Sequence, residues 1–152
     1  MKEIVELLTK RKETISTMES CTGGAIANAI TNVDGSSKVF KFTAVTYATE
    51  FKIKMGVSKD IIDKYTVKSI EVANEMSKQI TKFTNSDYGI GVTGNLKCNN
   101  EDNTVFISIY SKKEDKCYNA TVECYQDSKK ENKELVLNTI IYLLKSVIER
   151  NI

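Results

Sequence analysis

Ser20 lies in the run Glu19-Ser20-Cys21-Thr22-Gly23-Gly24, and Lys52 follows Tyr47 by five residues. A serine hydroxyl attacks an amide or ester only when a base takes its proton. The chain contains no His, so that base is not an imidazole. Acid–base work near neutral pH must fall to Lys, Tyr, Asp, Glu or Cys with shifted pKa values. A lysine desolvated at the mouth of a cleft has a lowered pKa and can serve a serine. Each residue also has a plainer reading. Ser20 could cap a tight turn, Tyr47 could be half-buried packing, and Lys52 could be a solvated surface lysine.

Other residues suggest a ligand around that pair. Thr22-Gly23-Gly24 lets backbone approach a ligand closely. A helix N-terminus following it offers free amides to an oxyanion or phosphate. The turns Gly35-Ser36-Ser37 and Thr93-Gly94 carry hydroxyl and amide donors, and read alone they are ordinary turns. Cys21, beside Ser20, reads as a packed small residue rather than a second nucleophile.

Composition removes several function classes. The 152 residues carry 22 Lys+Arg against 20 Asp+Glu, a net charge of +2. That balance gives no electrostatic case for nucleic acid. Arg11 and Arg150 are the only arginines, so bidentate arginine clamps are almost unavailable. Without His there is no His-ligated metal, and no metal or cofactor is expected. Cys21, Cys98, Cys117 and Cys124 show no CxxC spacing and read as reduced thiols of a cytoplasmic protein. The charged start Met1-Lys2-Glu3 reads as neither signal peptide nor membrane span, and no membrane association is expected.

The elements that must position these residues follow from periodicity. Ile4, Val5, Leu7 and Leu8 predict a helix over 2–11. Alternating β-branched residues predict a strand over 14–18, then the Gly turn, then an alanine-rich helix from Ala25. A second strand is expected over 42–47, and a helix from Glu50 that stops at Gly56. Ser58 and Ser69 are expected N-caps, the second for a helix with Val72, Met76 and Ile80 inward. A strand over 88–92 runs into Thr93-Gly94, and residues 95–103 form a polar loop. A hairpin of strands 104–111 and 117–125 precedes a helix over 129–149 with Leu135, Leu137, Ile141, Leu144, Val147 and Ile148 available to the core. This order predicts a single-domain, three-layer α/β/α sandwich with a mixed sheet, spanning 1–152.

The blocks, in this order, resemble the CinA C-terminal domain family. Thr17-Met18-Glu19-Ser20-Cys21-Thr22-Gly23-Gly24 is similar to its AESCTGG signature. Asp34-Gly35-Ser36-Ser37, Val45-Thr46-Tyr47 through Lys52, Met55-Gly56-Val57-Ser58 and Gly91-Val92-Thr93-Gly94 are similar to its later blocks. The resemblance implies a nicotinamide mononucleotide deamidase, which releases ammonia to leave nicotinic acid mononucleotide. It implies Ser20 as nucleophile, with Tyr47 and Lys52 as its activators. It further implies substrate contacts from Cys21, Thr22, Gly23, Gly24, Gly35, Ser36, Ser37, Thr46, Thr93 and Gly94. The expected partner is a small-molecule nucleotide, and the resemblance leaves room for a homo-oligomer and for a stand-alone form.

Two segments depart from the pattern. After Thr93-Gly94 the chain reads Asn95-Leu96-Lys97-Cys98, without the family's Ala-Gly-Pro. At the start of the last helix it has Lys129, Lys130 and Lys133 where the family has arginines. An alternative expectation is therefore a diverged, non-catalytic member that binds a nucleotide or a protein.

Overall fold

The computed structural model describes residues 1–97 and 102–150. The sequence reading of the loop at 98–101, Cys98 included, lies outside the described residues. The elements are α1 (Lys2–Arg11), β1 (Ile15–Glu19), α2 (Ala25–Thr31), β2 (Phe40–Val45), α3 (Thr49–Lys54), α4 (Lys59–Tyr65), α5 (Ile70–Thr84), β3 (Tyr88–Gly94), β4 (Thr104–Ser111), β5 (Lys116–Glu123) and α6 (Lys129–Arg150). One five-stranded sheet runs in the order β2-β1-β3-β4-β5. β1 pairs in parallel with both β2 and β3, while β3–β4 and β4–β5 are antiparallel. This is the mixed α/β sheet that the order of elements predicts.

The two faces of the sheet are visible in β3. Ile90 and Val92 join a core with Ile4, Leu8, Ile26, Ile140 and Leu144, from α1, α2 and α6. Gly89 and Gly91 alternate with them and face α5. A Cβ on Gly91 would lie 2.6 Å from Ser77 N and 2.9 Å from Met76 Cβ, so the absence of a side chain lets the helix lie close to the strand. On that second face Met18 packs with Val57, Val72, Met76 and Ile80. Ser58 and Ser69 cap α4 and α5 as expected, accepting from Ile61 N and Val72 N.

The last helix is rotated from its predicted register. Its buried line is Asn132, Val136, Ile140, Leu144, Val147 and Ile148, with Leu135 and Ile141 only half-buried. The apolar residues surround much of the helix, and a buried asparagine settles the rotation. Asn132 Oδ1 accepts from Gln126 N, and its Nδ2 donates to Leu96 O at 2.6 Å and to Gln126 O at 3.0 Å. A polar amide satisfied on both sides can be buried, so the helix start is tied to the loop after β3. No helix of the described residues is long and apolar enough to cross a membrane.

Candidate active site

Both parallel strand pairs end at the same edge, where Glu19 pairs with Val45 and with Val92. Ligands gather at the carboxyl ends of such strands. Ser20 comes immediately after β1, and its N–H donates to Val92 O at 3.0 Å. The chain then turns through Gly23 (φ 60°) and Gly24 (φ 98°) into α2. Both angles lie in the left-handed region that glycine adopts without steric penalty.

Lys52 reaches this turn from α3. It is 1 % exposed. Its Nζ lies 2.9 Å from Ser20 Oγ, 2.6 Å from Thr46 O and 3.5 Å from Tyr47 O. Among the described residues no carboxylate forms an ion pair with it. Burial without a counter-charge disfavours the ammonium, and the Lys52 pKa falls from 10.5 to about 8. At pH 7 that raises the neutral fraction from roughly 0.03 % to about 9 %.

Ser20 and Lys52 line one cleft with Cys21, Tyr47, Thr49, Val67, Lys68, Thr93, Gly94, Asn95, Leu96 and Lys129, enclosing about 180 Å³. No carboxylate is among these residues, and three of them are lysines. Lys68 also pairs with Asp102 at 3.1 Å on the rim. The enclosed volume suits the reacting end of a ligand, and the lysines suit an anionic tail.

The remaining expected residues divide between the cleft and other places. Tyr47 stands at the mouth, 64 % exposed, and its hydroxyl has no hydrogen-bond partner among the described residues. Its backbone carbonyl, rather than its ring, faces Lys52. Thr46 is buried and meets Lys52 through its carbonyl, and its hydroxyl has no partner among the described residues. Cys21 lines the cleft, but burial pushes its thiol up to about 12, which leaves it protonated and a poor nucleophile. Thr93 is buried with its hydroxyl on Val67 O at 3.0 Å. Gly94 lies against Thr104 and Val105, where a Cβ would have no room.

Thr22 and the Gly35-Ser36-Ser37 turn are placed elsewhere. Thr22 is buried and donates to Glu19 Oε1 at 2.7 Å, so its hydroxyl turns away from the cleft. Gly35, Ser36 and Ser37 precede β2 and therefore lie at the opposite end of the strands. Gly35 lines a separate hollow with Val5, Glu6, Thr9, Lys10, Asp34 and Lys38. Within one chain that turn cannot hold a phosphate beside Ser20.

The turn's amides are also mostly engaged. Gly23 N donates to Ser20 O and Gly24 N to Glu19 Oε1. Cys21 N and Thr22 N have no oxygen acceptor among the described residues, the Cys21 N–H lying against its own thiol. Lys68, Lys129 and Asn132 were not singled out as site residues by spacing. Asn132 had one signal, an asparagine in a long apolar helix. Among the described residues no cluster of three or more Cys, Asp or Glu side chains is arranged to hold a metal ion.

Comparison with known proteins follows the same lines. The CinA C-terminal domain family matches residues 1–148. A CinA-like protein of Flavobacterium psychrophilum is 47 % identical over 114 residues, covering 71 % of this chain and 27 % of that protein. The chain thus spans about a quarter of the length of the curated relatives it matches. A CinA superfamily protein from Klebsiella pneumoniae shares the fold, with a TM-score of 0.90 at 19 % identity over 98 % of this chain and 95 % of that one. A competence/damage inducible protein from Agrobacterium tumefaciens superposes with a TM-score of 0.85 at 25 % identity, covering 99 % and 92 %.

Proposed function

Because the chain belongs to the CinA C-terminal domain family, we propose that its cleft hydrolyses the carboxamide of nicotinamide mononucleotide or a close relative. The observation that carries this reading is the set of partners around Lys52 Nζ. Two are backbone carbonyls, which only accept, and the third is Ser20 Oγ. A neutral Lys52 keeps its two N–H groups on Thr46 O and Tyr47 O. Its lone pair is then directed at the Ser20 hydroxyl.

The steps follow from that arrangement. Lys52 takes the Ser20 proton as Oγ attacks the carboxamide carbon. The developing oxyanion accepts from the amides of Cys21 and Thr22. The Lys52 ammonium returns its proton to the departing nitrogen, and ammonia leaves. Water, deprotonated by Lys52, then attacks the acyl–serine carbonyl, the Lys52 ammonium returns that proton to the departing Ser20 Oγ, and the carboxylic acid is freed. The exposed Tyr47 ring lies where a cationic pyridinium could rest against it. Lys68 and Lys129 supply positive charge for the phosphate, as point charges in place of an arginine fork.

The test is ammonia release from nicotinamide mononucleotide by wild type and by Ser20→Ala. Equal background rates in both would overturn the reading. A second reading, a binding module without turnover, is favoured by the loop after Gly94 and by the lysines at 129–133. A thermal shift on adding the nucleotide, with no ammonia released, would support it.

A further inference from the structure

Among the described residues one carboxyl group is buried, and the proposed mechanism does not use it. Glu19 ends β1 and is 0 % exposed. Its side chain runs beneath the nucleophile turn rather than into the cleft. Oε1 accepts from Thr22 Oγ1 at 2.7 Å, Gly24 N at 3.1 Å and Ile26 N at 3.1 Å. Oε2 accepts from Ala27 N at 2.9 Å and Thr17 Oγ1 at 3.3 Å. Its backbone carbonyl accepts from Thr46 N at 2.8 Å, and Thr46 O in turn holds Lys52.

A carboxylate with five donors has its lone pairs satisfied, and charge-assisted bonds of this kind are among the strong ones. It also takes up the amides that the start of α2 would otherwise offer to an anion. Two consequences follow. The anionic part of a ligand therefore finds no free amides at the start of α2 and is left to the lysines and the other elements of the cleft wall. The turn is held so that, among the described residues, the Cys21 and Thr22 amides are the two next to Ser20 that keep no oxygen acceptor.

We infer that Glu19 is a positioning residue, which selects the Cys21 and Thr22 amides as oxyanion donors and fixes Ser20 and Lys52 relative to them. The inference rests on the reading of Ser20 as a nucleophile. Its effect belongs to the transition state, because the amides Glu19 orients meet a negative charge only there.

The test uses the full chain and two readouts. The first is the kcat–KM split on nicotinamide mononucleotide, and the second is the rate at which a fluorophosphonate labels Ser20. In Glu19→Gln one acceptor oxygen becomes a donor facing an N–H group. The expected result is a fall of about tenfold or more in kcat and in labelling rate, with KM within about twofold. Should Glu19→Gln not fold, Thr22→Val and Thr22→Ser replace it. Valine keeps the shape and loses the hydroxyl, so both rates should fall, and serine should restore them. A folded Glu19→Gln with unchanged rates, or equal rates in the two Thr22 variants, overturns the inference. Wild-type labelling that slows in the variants, with no amide hydrolysed, supports Glu19 and overturns the amidase. A wild type that neither labels nor hydrolyses overturns both.

Discussion

Lys52 Nζ lies closer to the carbonyl oxygen of Thr46, at 2.6 Å, than to the hydroxyl of Ser20, at 2.9 Å. The carbonyl fixes the amine without being able to take part in proton transfer. Among the described residues it leaves Ser20 as the one hydrogen-bond partner from which Lys52 can receive a proton. The site's pH behaviour follows from that asymmetry.

If neutral Lys52 is the base, kcat/KM for amide hydrolysis should rise with pH and level off above an apparent pKa near 8. Below that value the slope should approach about tenfold per pH unit. Lys52→Met should lose at least about 10³-fold in activity and the pH dependence with it. Steady-state ammonia release between pH 6 and 9.5 measures both.

The same lysine affects stability with a definite sign. Its folded pKa, about 8, lies below the ordinary 10.5. Between these values the unfolded chain holds a proton that the folded chain has released, so this group makes stability rise with pH. Below pH 8 its burial opposes folding, and each tenfold in proton affinity is worth about 1.4 kcal/mol. Cys21 has the opposite sign, since its raised pKa lowers stability above pH 9. Cys21 and Lys52 alter each other's proton affinity, so the difference between the urea-unfolding free energies of wild type and Lys52→Met reports Lys52 below pH 9 and both groups above it. The Met variant's advantage should be largest at pH 7 and shrink toward pH 10.

Lys129 lies in the cleft wall without a carboxylate partner among the described residues. Lys129→Gln should raise KM for the phosphorylated substrate about tenfold, or about 1.4 kcal/mol, at little change in kcat. Hydrolysis of the riboside lacking phosphate should be unaffected. Substrate-saturation curves for the two compounds separate the effects.

Gly91 has α5 where a side chain would go. Gly91→Ala should destabilise by about 1–3 kcal/mol as helix and strand are forced apart. Thermal melting should show it, at roughly 2–4 °C per kcal/mol for a chain of this size.

Much of the fold was legible in the sequence because its signals are local. The strand–glycine–helix passage around Ser20, the serine caps of α4 and α5 and the β4–β5 hairpin each depend on neighbours a few residues apart. The rotation of α6 was not legible, because Leu135, Val136, Leu137, Ile140 and Ile141 satisfy more than one register. Only the contact of Asn132 with Leu96, 36 residues away, decides between them. The site divides the same way. Spacing and family resemblance brought out Ser20 and Lys52, and the fold brings them to 2.9 Å. The separation of Gly35, Ser36 and Ser37 from them depends on which end of β2 they precede, and a turn motif does not state that. Glu19 is silent in the sequence because one carboxylate looks like another until its five donors are visible.

The sheet order has one more consequence. β1, which leads into Ser20, is paired on both sides, whereas β2 is an edge strand paired only with β1. Lys52 arrives through β2 and α3. Opening at a sheet edge requires less free energy than opening at its centre. Ser20 and Lys52 therefore sit on parts of the sheet of unequal durability. Heat or denaturant should separate Lys52 from Ser20 while the central strands still hold, so inactivation is a sub-global event that precedes the collapse of the fold.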